Sequence, residues 1–258
     1  MSGRRRCQPA RRAGLRHDGS VNSSAVGVAL LAVGLLFGSV LEQVATGGPL
    51  TDGDRSVLRW IAHHRVPFIT DMFRGVTVLG DGWVVGPIVV AAAVLLLVWG
   101  RWRLGVLVVS VSIVTSLLTT LAKGLVDRPR PPLDARLVSV SGPAFPSGHA
   151  SNAVGCYLTL AAVLWVSSPR GWRRVTVGGA AILLALGVGG SRVYLGVHWP
   201  SDVLGGWLLG AAVLLVALAA LARAFGGVRR SQSIGVAGAP ESLIPGQEAG
   251  SREGDSNS

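Results

Sequence analysis

Six stretches of 16 to 20 residues carry no charged side chain: 25–41, 83–99, 104–122, 150–166, 175–190 and 203–222. A helix rises about 1.5 Å per residue, and crossing the hydrocarbon core of a bilayer takes roughly 20 apolar residues, with about 17 as the lower limit. Five of the stretches reach that length. The fifth in order is short, but beyond Gly190 come Ser191, Arg192 and the apolar run 193–197, so that helix can continue with an arginine inside it. An intramembrane charge points to function. Half of the 258 residues are hydrophobic and 14% are charged, too apolar a balance for a soluble domain of this length. The expected fold is all-α, a polytopic membrane protein with six transmembrane helices.

The net charge of +11 invites a nucleic-acid reading, but no Lys/Arg-rich recognition helix is present, and no nucleic acid partner is expected. Six crossings place both termini on one side. That side collects Arg4, Arg5, Arg6, Arg11, Arg12, Arg16, Arg101, Arg103, Arg170, Arg173, Arg174, Arg223, Arg229 and Arg230, fourteen cations against nine in the alternate loops, with Arg252 further along the same C-terminal tail. By the positive-inside rule both termini are cytoplasmic in the cell membrane. The segments 42–82, 123–149 and 191–202 then face outward.

Residues 1–20 are polar and basic, and 229–258 are rich in Gly, Ser, Glu and Gln; both are expected to be disordered cytoplasmic tails. Residues 21–228 between them form one membrane domain. The first apolar stretch could instead be a signal peptide, although it is long for one and no small-residue cleavage site follows; its removal would leave the later topology unchanged. Within 42–82, Val57, Leu58, Trp60, Ile61, Phe68, Ile69, Met72 and Phe73 recur at near-helical spacing interrupted by Pro67, which predicts two short amphipathic helices at the outer interface. His63 and His64 there read as solvated interfacial histidines. Cys7 and Cys156 lie too far apart in this topology to pair.

The outward ends of helices three to six gather Lys123, Arg128, Arg130, Ser147, His149, Ser191, Arg192, His198 and Asp202. Any one of these cations would pass as an interfacial anchor. Together they oppose the positive-inside bias and come with two histidines and an aspartate, which anchoring does not require. Lys123 is the only lysine among 24 basic residues. Helices four and six both start outside, at FPSGH and HWPSD, and would present N-terminal amides and the positive dipole end to one pocket. Gly148 leaves room for an anion near the backbone. Asp202 suits a first helical turn, and its spacing from His198 also suits a carboxylate that orients an imidazole. A metal site built from His149, His198 and Asp202 is disfavoured because three nearby cations would repel the ion. The same cations suit phosphate.

These residues resemble the signature of the type 2 phosphatidate phosphatase superfamily, the lipid phosphate phosphatases, which share an active site with vanadium haloperoxidases. The first block, lysine, six residues, then Arg-Pro, is met by Lys123, Arg130 and Pro131; the second by Pro146, Ser147, Gly148 and His149; the third by Ser191, Arg192, His198 and Asp202. The resemblance covers about 42–222 and implies a site on one membrane face. It also implies that His198 attacks phosphorus and becomes a phosphohistidine, with Asp202 orienting it. His149 would protonate the leaving oxygen and later activate water. Lys123, Arg130, Ser147, Gly148, Ser191 and Arg192 would bind the phosphoryl oxygens, with no metal and no other cofactor. Arg128 lies outside the defined positions.

The expected activity is hydrolysis of a membrane lipid phosphate, whether phosphatidate, phosphatidylglycerophosphate or undecaprenyl diphosphate, at the outer face. A vanadate-dependent haloperoxidase, a phosphotransferase passing the phosphate to another acceptor, and a lipid-phosphate binding or transport protein without turnover are the alternatives. Membrane spans argue against the first, and the intact set of His149, His198 and Asp202 against the last. Oligomeric state is left open.

Overall fold

The computed structural model describes residues 23–167 and 171–237, with side chains from 24 to 165 and from 171 to 220. Among these residues there are helices and no strands. The tails expected to be disordered lie outside the described residues, apart from the end of the last helix, and so does Cys7. The chain runs through α1 (Ser23–Thr46), α2 (Pro49–His63), α3 (Pro67–Val78), α4 (Gly82–Val98), α5 (Trp102–Val126), α6 (Gly148–Asn152), a π turn (Ala153–Tyr157), α7 (Leu158–Ser167), α8 (Gly171–Tyr194) and α9 (Pro200–Ala237).

Each uncharged stretch falls on helix. Four described helices are long and apolar enough to cross a membrane alone, over Ser24–Thr46, Trp102–Val126, Gly171–Tyr194 and Pro200–Ala220; α3 and α4, bent by 47° at their junction, make a fifth if the pair is one span. The stretch 150–166 is helical along α6, the π turn and α7. Leu31, Leu35, Leu97, Val98 and Leu183 are more than half exposed. Such outward apolar surface is stable where the surrounding solvent is itself apolar.

The main core lies between α4, α5, the π turn, α7 and α8, where Val85, Leu96, Val108, Val154, Val163 and Val188 pack together. α9 carries glycines that let α6 come close. A Cβ on Gly206 would lie 2.6 Å from the Ser147 carbonyl oxygen, and one on Gly210 2.6 Å from that of Ser151. Both approaches are shorter than any real carbon contact, so only glycine admits them. The result is that the start of α6 is pinned to the start of α9, and Ser147 N–H donates to the Asp202 carbonyl at 2.9 Å.

Proline opens α2, α3 and α9, where its missing N–H costs no helical hydrogen bond. α2 is amphipathic, burying Thr51, Asp54 and Leu58 on one stripe and exposing Val57 and Trp60 on the other. A charged residue on the buried stripe is unusual, and its partners define part of the site.

Candidate active site

Three backbone features bring the motif residues together. Asp127 ends α5 in the left-handed region, at φ 42°, a conformation that aspartate tolerates better than most residues, and this turns Arg128 and Arg130 back over the bundle end. Ser147 caps α6 and precedes Gly148 and His149. Gly196, at φ +73°, makes the turn between α8 and His198; a Cβ there would also lie 2.0 Å from the Ala135 carbonyl oxygen, so both conformation and space demand glycine.

His198 is 2% exposed and Asp202 not at all. Nδ1 of His198 lies 3.3 Å from Oδ2 of Asp202, which also accepts the Trp199 N–H at 2.8 Å. Asp202 thus does both things its position suggested, closing the first turn of α9 and facing the imidazole. On the other side of the ring, Nη1 of Arg130 is 3.1 Å from Nε2. A guanidinium has only donors, so Nε2 is the acceptor and the ring proton sits on Nδ1, toward Asp202. That tautomer leaves a nucleophilic lone pair on Nε2.

Arg130 also donates to the carbonyls of Val197 at 2.8 Å, Gly142 at 2.8 Å, Ser141 at 3.2 Å and Pro143 at 3.3 Å. Lys123 Nζ donates to the Pro143 carbonyl at 2.6 Å. Segment 141–143 therefore holds two of the cations. Arg192, buried in α8, gives Nη1 to Thr77 Oγ1 at 2.7 Å, while its Nε has no partner. Among the described residues, Ser147 Oγ is likewise buried without a hydrogen bond. Two orphaned polar atoms on two motif residues, Ser147 Oγ and Arg192 Nε, fit an anion with several acceptor oxygens. Ser191 differs from the rest, because its hydroxyl is spent on the Val188 carbonyl at 2.6 Å.

His149 Nε2 lies 2.9 Å from Oδ1 of Asp81. Gly80 allows this approach, since a Cβ there would lie 2.8 Å from His149 Cδ2. Burial, followed by the charge of Arg192, pushes the His149 imidazole down to about 4 against the pull of Asp81. Burial also pushes His198 down, to about 3, against the upward pull of Asp202. Both rings are neutral near pH 7.

Asp54, Asp81 and Thr77 were not singled out from the sequence. The one available signal was for Asp54, an acid sharing the i, i+3, i+7 stripe of Thr51 and Leu58. Arg128 is held by acids: Nη1 lies 2.6 Å from Asp202 Oδ1 and Nη2 2.8 Å from Asp54 Oδ2. Its guanidinium also lies over the Trp199 ring, 5.6 Å from the centroid.

Residues 102–225 match the family model described as the PAP2 superfamily. Over 180 residues the chain is 31% identical to phosphatidylglycerophosphatase B of Bacillus subtilis (strain 168), a match covering 68% of this chain and 86% of that one. A shorter match, 41% identical over 71 residues and covering 26% of this chain and 28% of the other, is to undecaprenyl-diphosphatase of Sulfolobus acidocaldarius. Among solved structures, a transmembrane PAP2 type phosphatidylglycerolphosphate phosphatase from Bacillus subtilis aligns with a TM-score of 0.68 at 30% identity, over 74% of this chain and 94% of that chain.

Proposed function

This chain belongs to the PAP2 superfamily, and on that premise we propose that it is a membrane lipid phosphate phosphatase working through a phosphohistidine on His198. The observation that carries the reading is the placement of the buried His198 ring, with Nδ1 3.3 Å from Asp202 Oδ2 and Nε2 3.1 Å from Arg130 Nη1, an arrangement that puts the ring proton on Nδ1 and the lone pair on Nε2. The Nε2 lone pair forms a bond to phosphorus as the bond from phosphorus to the leaving oxygen breaks. The departing electron pair stays on that oxygen, which takes a proton from His149.

His149 is neutral in the empty site, so it must gain a proton before it can give one. An incoming phosphoryl dianion, added to Asp81, supplies the negative charge that favours protonation. In the second half-reaction neutral His149 accepts a proton from water, which attacks the phosphohistidine and releases phosphate. Lys123, Arg130 and Arg192, with the Ser147 hydroxyl and the Gly148 amide, stabilise the charge that gathers on the phosphoryl oxygens. The Ser191 hydroxyl holds its own helix and contributes indirectly.

Six crossings with cytoplasmic termini and an outer-face site complete the proposal, supported by the arginine asymmetry of the loops. Among lipid phosphates, phosphatidylglycerophosphate is favoured, because the relative matched over most of its length is named for that activity. The test is phosphate release by detergent-purified protein from phosphatidylglycerophosphate, phosphatidate and undecaprenyl diphosphate in excess chelator, beside His198→Ala. Release that resists chelator and vanishes in the variant is expected. Equal release by the variant would sink the nucleophile assignment.

A further inference from the structure

Asp54 lies on the buried stripe of the amphipathic helix α2 and is 2% exposed. Its Oδ1 accepts the Ser201 N–H at 2.8 Å, and its Oδ2 accepts Arg128 Nη2 at 2.8 Å and the Ser201 hydroxyl. Arg128 in turn gives Nη1 to Asp202 Oδ1 at 2.6 Å and to Ser201 Oγ at 2.7 Å. Asp202 then faces His198. A continuous line of buried contacts therefore runs from α2 to the nucleophile. Asp54 and Asp202 each stand 74 positions from Arg128 in the chain, so only the tertiary fold assembles it.

Charge explains why the line has three members. An Arg128–Asp202 pair alone is neutral and would cancel the field by which Asp202 stabilises a positive imidazole. With Asp54 added, the cluster returns to a net charge of −1 beside His198. Attack by Nε2 of a ring already protonated on Nδ1 places positive charge on the ring, and a net anion behind it stabilises that product. The other charges acting on His198 are Arg130 from the segment after α5 and Arg192 from α8, and both oppose a positive ring.

We propose that Asp54 and Arg128 are positioning residues that act through Asp202 to set the stability of the phosphohistidine on His198. The proposal rests on the phosphohistidine reading above. If Asp54 and Arg128 served only to anchor α2, every disruption would lower activity in the same sense. A charge role makes their effects opposite. Asp54→Asn leaves the cluster neutral and destabilises the phosphorylated ring, whereas Arg128→Gln leaves it at −2 and stabilises it. The double variant restores −1.

The experiment is alkaline-quench trapping of phosphohistidine, whose P–N bond is stable in base, during steady-state turnover of phosphorus-32-labelled phosphatidylglycerophosphate in detergent micelles, with folding checked by thermal unfolding. The trapped fraction is expected to fall about tenfold in Asp54→Asn, to rise in Arg128→Gln, and to return near the wild-type level in the double variant, the fall corresponding to about one pKa unit at the ring. A fall in all three, or no change in any, overturns the proposal. Should Arg128→Gln fail to fold, Asp54→Asn against Asp54→Glu decides, the trapped fraction falling only where the charge is lost. If only the double variant folds, a trapped fraction far from wild type overturns it. Absence of phosphohistidine in the wild-type protein would instead sink the underlying reading.

Discussion

Arg130 Nη1 sits 3.1 Å from His198 Nε2, so a cation expected to hold phosphate rests on the nitrogen expected to attack it. The rest of the guanidinium is satisfied by carbonyls of Ser141, Gly142, Pro143 and Val197. A bound phosphoryl group would replace these neutral acceptors by charged oxygens, which form stronger hydrogen bonds with a guanidinium.

Arg130→Lys keeps the charge and loses the planar fork, so it cannot grip phosphate bidentately. The expected result is a loss of roughly tenfold to a hundredfold in kcat/KM, about 1–3 kcal/mol of transition-state stabilisation for hydrogen bonds to a charged group. Steady-state kinetics on lipid micelles measure it, and an unchanged kcat/KM would remove Arg130 from the phosphate site.

His149→Ala separates the two proposed half-reactions. With a substrate whose leaving group needs no proton, such as a nitrophenyl phosphate, His198 should still be phosphorylated while hydrolysis slows by about a hundredfold or more, the scale of a general acid–base contribution. Phosphoprotein then accumulates and is seen by intact-protein mass spectrometry after rapid quenching. Failure of any phosphoprotein to build up would assign His149 another role.

The two histidines also make stability depend on pH. Their folded values, about 4 for His149 and about 3 for His198, lie below the ordinary value near 6.5. Between those limits the unfolded chain binds more protons than the folded one, so stability rises with pH through that window and is fully present above about 6.5. The thermal unfolding temperature should fall as the pH drops from 7 toward 4.5, and His149→Asn should reduce the slope. A flat profile would contradict the neutral, buried state of the rings.

Binding of a phosphate dianion should pull a proton onto His149. Calorimetric titration with phosphate at pH 7.5, in two buffers of different ionisation enthalpy, should report a larger net proton uptake in the wild type than in His149→Asn, any proton that phosphate itself loses on binding being common to both. Equal uptake in both would place the proton elsewhere.

Gly206→Ala tests how α6 is seated. The added carbon would meet the Ser147 carbonyl oxygen at 2.6 Å and Ala150 Cβ at 2.9 Å, so α6 or α9 must shift. A stability loss of about 1–3 kcal/mol is expected from overpacking, together with reduced activity because Ser147 and Asp202 are joined through this contact. Thermal unfolding and turnover measured on the same preparation check both parts.

The helices were legible because a bilayer imposes length and apolarity on a segment of chain, and both are local properties; the six uncharged stretches could be read one at a time. The motif blocks were legible because spacing along a helix or turn is also local. His198 and Asp202, four apart, needed nothing but the start of α9 to face each other. For Ser191 the spacing says nothing of which way the hydroxyl turns, and the structure turns it to the Val188 carbonyl.

What the sequence determined by itself was an apolar helical bundle with cations and two histidines near the helix ends. What only the tertiary structure decided was how those charges are paired. Asp54 reaches Arg128 and Ser201 because α2 packs its buried stripe against α9, and Arg128 reaches Asp202 because Asp127 turns the chain back at the end of α5. Charge pairing over such separations is settled by which buried surfaces fit together and which buried charges must find partners, and neither condition leaves a periodic trace along the chain.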